Sequence, residues 1–455
     1  MHLWGVKKKT KTLPSTVLTK ILQSGETMLT ALSRQLYTLS YQGELKQAED
    51  LAFASIRKLF DELFEAILPL AAESFSEQYD APKGSGAQIR PHKVRLSSGQ
   101  QIPIESPYLR QSGEASTRPI TQHWKLAGSY SLALMDKVAY MGVMSGSYNL
   151  ASEALKKFGV SCSISSVRDI TNAFAAQCEQ VGEANLLLAS GETLADKRVV
   201  ISVDGGRSRI RELPKKPNKD NPKGYDTPWK EPKLFVIDVL DEEGQASRYE
   251  LPLYGCRFDP QAMLDLLKGY LKQLHIEQAE QVQFIADGAS WIWNRVPSLL
   301  ASLGVKAERI EYTLDYYHAM QYLHSLISSL PRRVNQATRQ GLLKQAKALV
   351  WKGKVTKAIR LIKKHLQRMN AEQRRWLNYL IKHSSRMQYA DLQHRKLLCG
   401  SGLMESAVRR VINLRFKSAG TFWSSECLEK LFFLRGAALS KRWDTLLTNL
   451  QKGVA

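Results

Sequence analysis

Apolar residues fall along the chain in stretches of different period, and the periods predict different elements. From about residue 15 to 80 they recur every three or four positions, most clearly in Phe53, Ile56, Phe60, Leu63, Phe64 and Ile67, with Pro69 near the end of the run. That spacing predicts helices with one apolar face, available to a core or to an oligomer contact. Residues 81–118 lose the period and are rich in Pro, Gly and Ser, which predicts a linker with one or two short strands. Helical spacing returns over 119–195. Within it, a helix over 148–158, a turn at Gly159 and a second helix capped by Ser163 or Ser165 have the shape of a helix-turn-helix, a candidate DNA-binding domain.

At Lys197 the texture changes to β-rich runs. RVVISVDGG, LFVIDVLDEEG and SRYELPLYG predict a three-strand antiparallel meander, with a Lys/Pro loop between the first two. A helix over 261–274, the strand QVQFIA, another helix and a strand before LDYYH follow. Strand-strand-strand-helix-strand-helix-strand is the order of an RNase H-like fold. The expected class is therefore α/β, a mixed five-stranded sheet with flanking helices over 196–318, preceded by a mainly helical region over 1–80 and completed by C-terminal helices over 401–455.

Charge changes this picture most between residues 331 and 396. The whole chain of 455 residues carries 65 Lys+Arg against 43 Asp+Glu, a net charge of +22. In that segment 18 Lys and Arg face only Glu372 and Asp391, which leaves +16 there. Leu342, Leu343, Ala346, Leu349 and Val350, then Ile359, Leu361, Ile362 and Leu366, recur at helical spacing, so the cations ride on amphipathic helices. A solvated face usually mixes signs; one so one-sided suits a polyanion, and Lys354, Lys357, Lys363 and Lys364 are its central candidates.

Composition excludes several other classes. With 44% hydrophobic residues the chain is globular, no apolar run approaches membrane-spanning length, and no apolar segment follows the basic N-terminus as in a secretory signal. The five cysteines are scattered with no Cys-x-x-Cys pair, against a disulfide framework or a structural zinc site. No Gly-x-x-x-x-Gly-Lys-Ser/Thr, His-Glu-x-x-His or Gly-x-Ser-x-Gly motif is present, so ATP-driven and hydrolase chemistries find no support. A cytoplasmic, nucleoid-associated protein with no membrane partner is the expectation.

Asp204 ends the run VVISV and Asp287 ends QFIA, each followed by Gly. A carboxylate at the end of a strand, beside a glycine that lets another group approach, suits a metal ligand. Glu405, in a helix with Arg409, Arg410, Arg415 and Lys417 downstream, is a third candidate. Its bland reading is a helix-start Glu that favours the macrodipole and pairs with Arg409. Three such carboxylates on one sheet edge would hold two hard divalent cations, Mg²⁺ or Mn²⁺, as phosphodiester chemistry requires.

Taken together, VDGGR (203–207), ADGASWIW (286–293), LDYYHAMQYLH (314–324) and GLMESAVRRVINLRFKSAGTFW (402–423) resemble the DDE transposases of bacterial insertion sequences, in particular the ISLre and ISKra groups of the retroviral-integrase superfamily. The resemblance covers about 197–440. It implies that Asp204, Asp287 and Glu405 are the catalytic, metal-holding triad, with two Mg²⁺ or Mn²⁺ per site. It also implies that 319–400 is a helical insertion between the second Asp and the Glu, and that Asp315 and His318 match a D-x-x-H element, either a structural hydrogen-bonded pair or a DNA contact. The cysteine-bearing motif frequent in the N-terminal part of such enzymes has no counterpart in 81–118. The implied partner is double-stranded DNA, the element ends and a target, engaged by a homodimer or higher oligomer. DNA contacts are expected from Arg207, Arg209, Lys215, Lys216, Arg409, Arg415 and Lys417 beside the basic helices, with Trp423 either stacking on an unpaired base or packing beside Phe422. Two rival readings are a non-catalytic, domesticated DNA-binding protein and a structure-selective nuclease such as a junction resolvase.

Overall fold

The computed structural model describes residues 12–81, 86–110, 116–214, 224–247, 252–366, 368–418 and 421–452. The chain divides into two compact units, residues 1–177 and 178–455. The first begins with two long helices, α1 (Ser15–Tyr41) and α2 (Leu45–Gln78). Gly43, at φ +78°, turns the chain so that α2 returns along α1, and Pro69 lies inside α2.

The stretch expected to be a linker with one or two short strands holds two strands of ten residues each, β1 (Gly86–Arg95) and β2 (Gln101–Arg110), paired as a hairpin. Its prolines disguised it. Pro91, Pro103 and Pro107 fall in the alternate pairs 91/105, 93/103 and 89/107, one set of the ladder, where a missing N–H costs a two-stranded ribbon nothing. The hairpin buries Val94, Ile102 and Ile104 against Ala72 and Phe75 of α2 and against Ile120 of α3 (Pro119–His123). Next come α4 (Leu132–Met144), α5 (Tyr148–Lys157) and α6 (Ile164–Val181), the last of which carries the chain into the second unit. The expected helical pair is present. Gly159 turns it at φ +82°, and Ser163 caps α6 through a 3.1 Å bond from the Ser166 amide.

After α7 (Glu183–Leu187) the second unit builds its sheet. β3 (Arg198–Gly205) leads through a short ribbon, β4 (Ser208–Arg209) with β5 (Trp229–Lys230), to β6 (Lys233–Leu240) and β7 (Leu253–Arg257). Helix α8 (Pro260–Gln273), strand β8 (Gln281–Ala286), helices α9 (Ser290–Trp293) and α10 (Val296–Ser302) and strand β9 (Ile310–Leu314) follow. The strands lie in the order β7-β6-β3-β8-β9, with β3/β6 and β6/β7 antiparallel and β3/β8 and β8/β9 parallel. That is the RNase H-like sheet. β3, β6 and β8 are buried through almost their whole lengths, as central strands covered on both faces must be, which is why they read as unbroken apolar runs.

Helices α11 (Tyr316–Ser328), α12 (Gln336–Trp351), α13 (Val355–Lys363), α14 (Ala371–Lys382) and α15 (Tyr389–His394) form the basic helical segment. The chain then returns to the sheet as α16 (Gly402–Ala407), which continues through a π-helical stretch, Val408–Asn413, into α17 (Leu414–Phe416). Helices α18 (Ser425–Leu439) and α19 (Trp443–Lys452) close the unit, α18 against β7. Among the described residues no helix is long and apolar enough to cross a membrane.

Candidate active site

β3 and β8 are adjacent and parallel, with Val203 opposite Ala286. Asp204 and Asp287 therefore leave neighbouring strands at the same carboxyl edge, where ligands of open α/β sheets bind. Each is oriented by a backbone amide: Gly205 N–H donates to Asp204 Oδ1 at 2.6 Å and Ala289 N–H to Asp287 Oδ1 at 2.9 Å. Burial pushes the Asp204 carboxyl above the usual carboxylate range; the Gly205 amide opposes this, and the negative charge of Asp287 adds to it. Glu231 also raises it, while His318 lowers it. Glu231 further hydrogen-bonds Lys233.

Glu405 lies in the first turn of α16, a helix packed on β3 and β6, and its side chain is exposed. What fixes that helix is Asp315. Its Oδ1 accepts from the His318 amide at 3.0 Å and so caps α11. Its Oδ2 accepts from the Ser401 amide at 2.7 Å and from the Ser401 hydroxyl, at the entrance to α16. The chain just before α16 is stitched to the sheet as well. Gln283 Nε2 donates to Leu398 O at 2.7 Å, Leu398 N–H returns to Gln283 Oε1 at 3.0 Å, and Tyr316 N–H donates to Cys399 O at 3.0 Å. Asp315 is thus a positioning residue between the second strand end and the helix bearing Glu405, and within the D-x-x-H element it caps the helix through the His318 amide. Asp315→Ala is expected to cost about 2 kcal/mol, a lost cap plus unsatisfied buried donors. Urea denaturation measures this.

The donor set suits a hard divalent cation. Asp204 and Asp287 offer only oxygens, and such an ion would offset the negative charge that Asp287 sets against Asp204. Among the described residues, however, no three His, Cys, Asp or Glu side chains converge into a metal-holding group.

Sequence reasoning missed the residues that cover Asp287 from the basic helices. The Tyr379 ring of α14 lies over Gly288, where any Cβ would strike it, and stacks on Tyr322 at 3.7 Å and 11°. The glycine after Asp287 is thus the room for this ring. Beneath Tyr379, His383 is 1% exposed, 5.0 Å from that ring and 5.9 Å from Trp293. Burial first, then Arg386 and Lys382, push its pKa down to about 4. A histidine neutral in the fold and protonated on unfolding gives stability that is fully present above its ordinary pKa of ~6.5 and lost as pH falls toward 4. His383→Gln is expected to flatten that part of the slope in urea denaturation at graded pH. Asp204 contributes the opposite sign in both proteins, so the difference between them isolates His383.

The expected DNA contacts separate into exposed and buried sets. Arg207, Arg209, Arg409 and Lys417 are exposed, as are Lys354, Lys357, Lys363 and Lys364 on and beside α13. Lys215 and Lys216 lie outside the described residues. Arg415 corrects the expectation, and of the two readings of Trp423 the core-packed one holds. Arg415 is 2% exposed and lies over the Trp423 ring at 4.9 Å, while Trp423 is 8% exposed and meets Phe416 edge-on at 5.3 Å. An indole held in the core has no open face for a base. Among the eighteen basic residues of 331–396, Arg339 spends its guanidinium on carbonyls at the end of α11 and in the turn after it, Ile327 O at 3.2 Å and Val334 O at 3.0 Å, and Arg395 pairs with Asp391 and Glu311.

No protein-family model and no curated protein matches the chain. Among solved structures it is similar to the Drosophila P element transposase strand transfer complex, at 12% identity over 70% of this chain and 80% of that chain, with a TM-score of 0.25. So loose a likeness carries no chemistry by itself; the geometry of the strand ends does.

Proposed function

We propose that the chain is a DNA-processing enzyme of the DDE transposase type, cutting and joining phosphodiester bonds at the ends of a mobile element. One observation carries the proposal: two half-buried, mutually repelling carboxylates leave the carboxyl ends of adjacent parallel strands at the centre of an RNase H-like sheet. Asp204 and Asp287 would hold Mg²⁺ or Mn²⁺, with Glu405 supplied from α16 as the third ligand. When bound, the ions supply activation of the attacking hydroxyl and stabilisation of the leaving oxygen. The chain's own contribution is placement. Gly205 and Ala289 amides orient the two carboxylates, and Asp315 fixes the start of α16. The exposed cations of α12 to α14 hold a DNA backbone beside the site. The intact Asp pair favours catalysis over a domesticated binding protein. The α5–α6 helical pair favours end recognition over a junction nuclease.

The test uses DNA carrying the gene with its native flanks, incubated with the full chain and Mg²⁺. Breaks at fixed flanking positions bearing 3′-hydroxyls support the proposal. Absence of breaks, or equal breakage in EDTA, contradicts it.

A further inference from the structure

On one face of the β1–β2 hairpin three guanidinium groups gather around a single ring. Arg90, Arg118 and Arg110 stand 5.0, 5.1 and 5.9 Å from the centroid of Tyr108. The register gathers the hairpin's share of them. Arg90 lies opposite Ser106, Gln88 opposite Tyr108 and Gly86 opposite Arg110, so these positions share one face of the ribbon. Glu105, opposite Pro91, belongs to the other face.

Neutral acceptors hold the cluster. Gln88 Oε1 accepts from Arg90 at 2.9 Å. The carbonyls of Arg90 and Pro91 and the Ser106 hydroxyl accept from Arg118 at 3.3, 3.0 and 3.3 Å. The Tyr108 hydroxyl donates to Ser116 Oγ at 2.5 Å, which fixes the ring. Among the described residues no carboxylate pairs with any of the three arginines. A ring face attracts a cation, but three on one ring leave positive charge that no described residue on this face neutralises.

We propose that this face of the hairpin binds backbone phosphates of duplex DNA, as a contact separate from the basic helices and the catalytic strands. Guanidinium forks match the paired oxygens of a phosphodiester. Arg110 is exposed at the end of β2. An open face of this kind encloses no small anion and gains from a polymer, whose condensed counterions are released on contact. The inference goes beyond the cleavage reading and is independent of it: Asp204→Asn retains this contact whether or not it cleaves.

The test is the full-length double variant Arg90→Gln/Arg110→Gln, with Arg118 left in place because its bonds tie the two strands. Binding to a 30-bp duplex of arbitrary sequence is measured by anisotropy across a salt series. The slope of log affinity against log salt is expected to fall by about two, and affinity at 0.1 M salt by about ten-fold or more, at an unchanged Tm. Unchanged slope and affinity overturn the proposal. A second measurement needs no variant: duplex DNA is expected to protect Arg90 and Arg110 of the wild-type chain from phenylglyoxal. Equal labelling with and without duplex overturns the assignment, and equal protection by inorganic phosphate at matched phosphate concentration overturns its restriction to a polymer.

Discussion

Asp204→Asn is expected to abolish strand cleavage and, in the same protein, to raise the melting temperature. The loss of activity should exceed about a thousand-fold, because one of the two anionic donors at the strand ends becomes a neutral amide. Asp287→Asn should fall as far. The gain in stability follows from the sign of the Asp204 shift. Burial and the Asp287 charge raise this carboxyl in the fold, so the ionised form is the costly one at neutral pH. A raised acid contributes stability that is fully present below its ordinary pKa and lost as pH rises through the raised one. The neutral amide removes that cost at pH 7, by roughly 2 °C, and the advantage shrinks on acidification to pH 4, toward the protonated form that the buried Asp204 favours. Cleavage assays paired with melting curves at the two pH values check both halves. A destabilised Asp204→Asn with activity retained would leave the carboxylate a structural group.

Reversing Lys354, Lys357, Lys363 and Lys364 to Glu is expected to weaken duplex binding about a thousand-fold or more at 0.1 M salt, for every sequence alike. All four are exposed, and none forms an ion pair among the described residues. Each neutralised phosphate contributes close to one unit of salt slope, so four reversals should lower the slope by about three to four. Stability should change little, because α13 is held by Val355, Ala358, Ile359 and Ile362 on its other side. Anisotropy over a salt series checks it; an unchanged slope would make the segment a solvated face.

The central strands are legible in the sequence because β3 and β8 are buried on both faces and end abruptly in Asp-Gly. Their apolar runs and carboxylates stand out without any knowledge of contacts. The basic helices are legible for a related reason: cations of a single sign on a helical apolar period repel one another unless a polyanion faces them. The β1–β2 hairpin is legible only as short strands in a linker, because Pro91, Pro103 and Pro107 hide its length and pairing until the register places them at positions needing no ladder bond. Asp315 and Ser401 are 86 residues apart, and nothing local marks them as partners. Gly288 reads as space for an approaching group, which it is, but only the fold names that group as Tyr379. Trp423 shows the converse limit. An aromatic beside cations reads the same whether it faces DNA or, as here, Phe416 and Arg415 in the core.

The central claim is that Asp204 and Asp287 together form a divalent-cation site. Iron-directed cleavage of the polypeptide tests it without knowledge of any DNA sequence. With Fe²⁺, ascorbate and peroxide, the wild-type chain should be cut near residues 204 and 287. The cuts should be suppressed by excess Mg²⁺ or Mn²⁺ and absent from Asp204→Asn and Asp287→Asn. Cuts confined to other segments, or cuts at these strand ends that persist in both variants, would contradict the account.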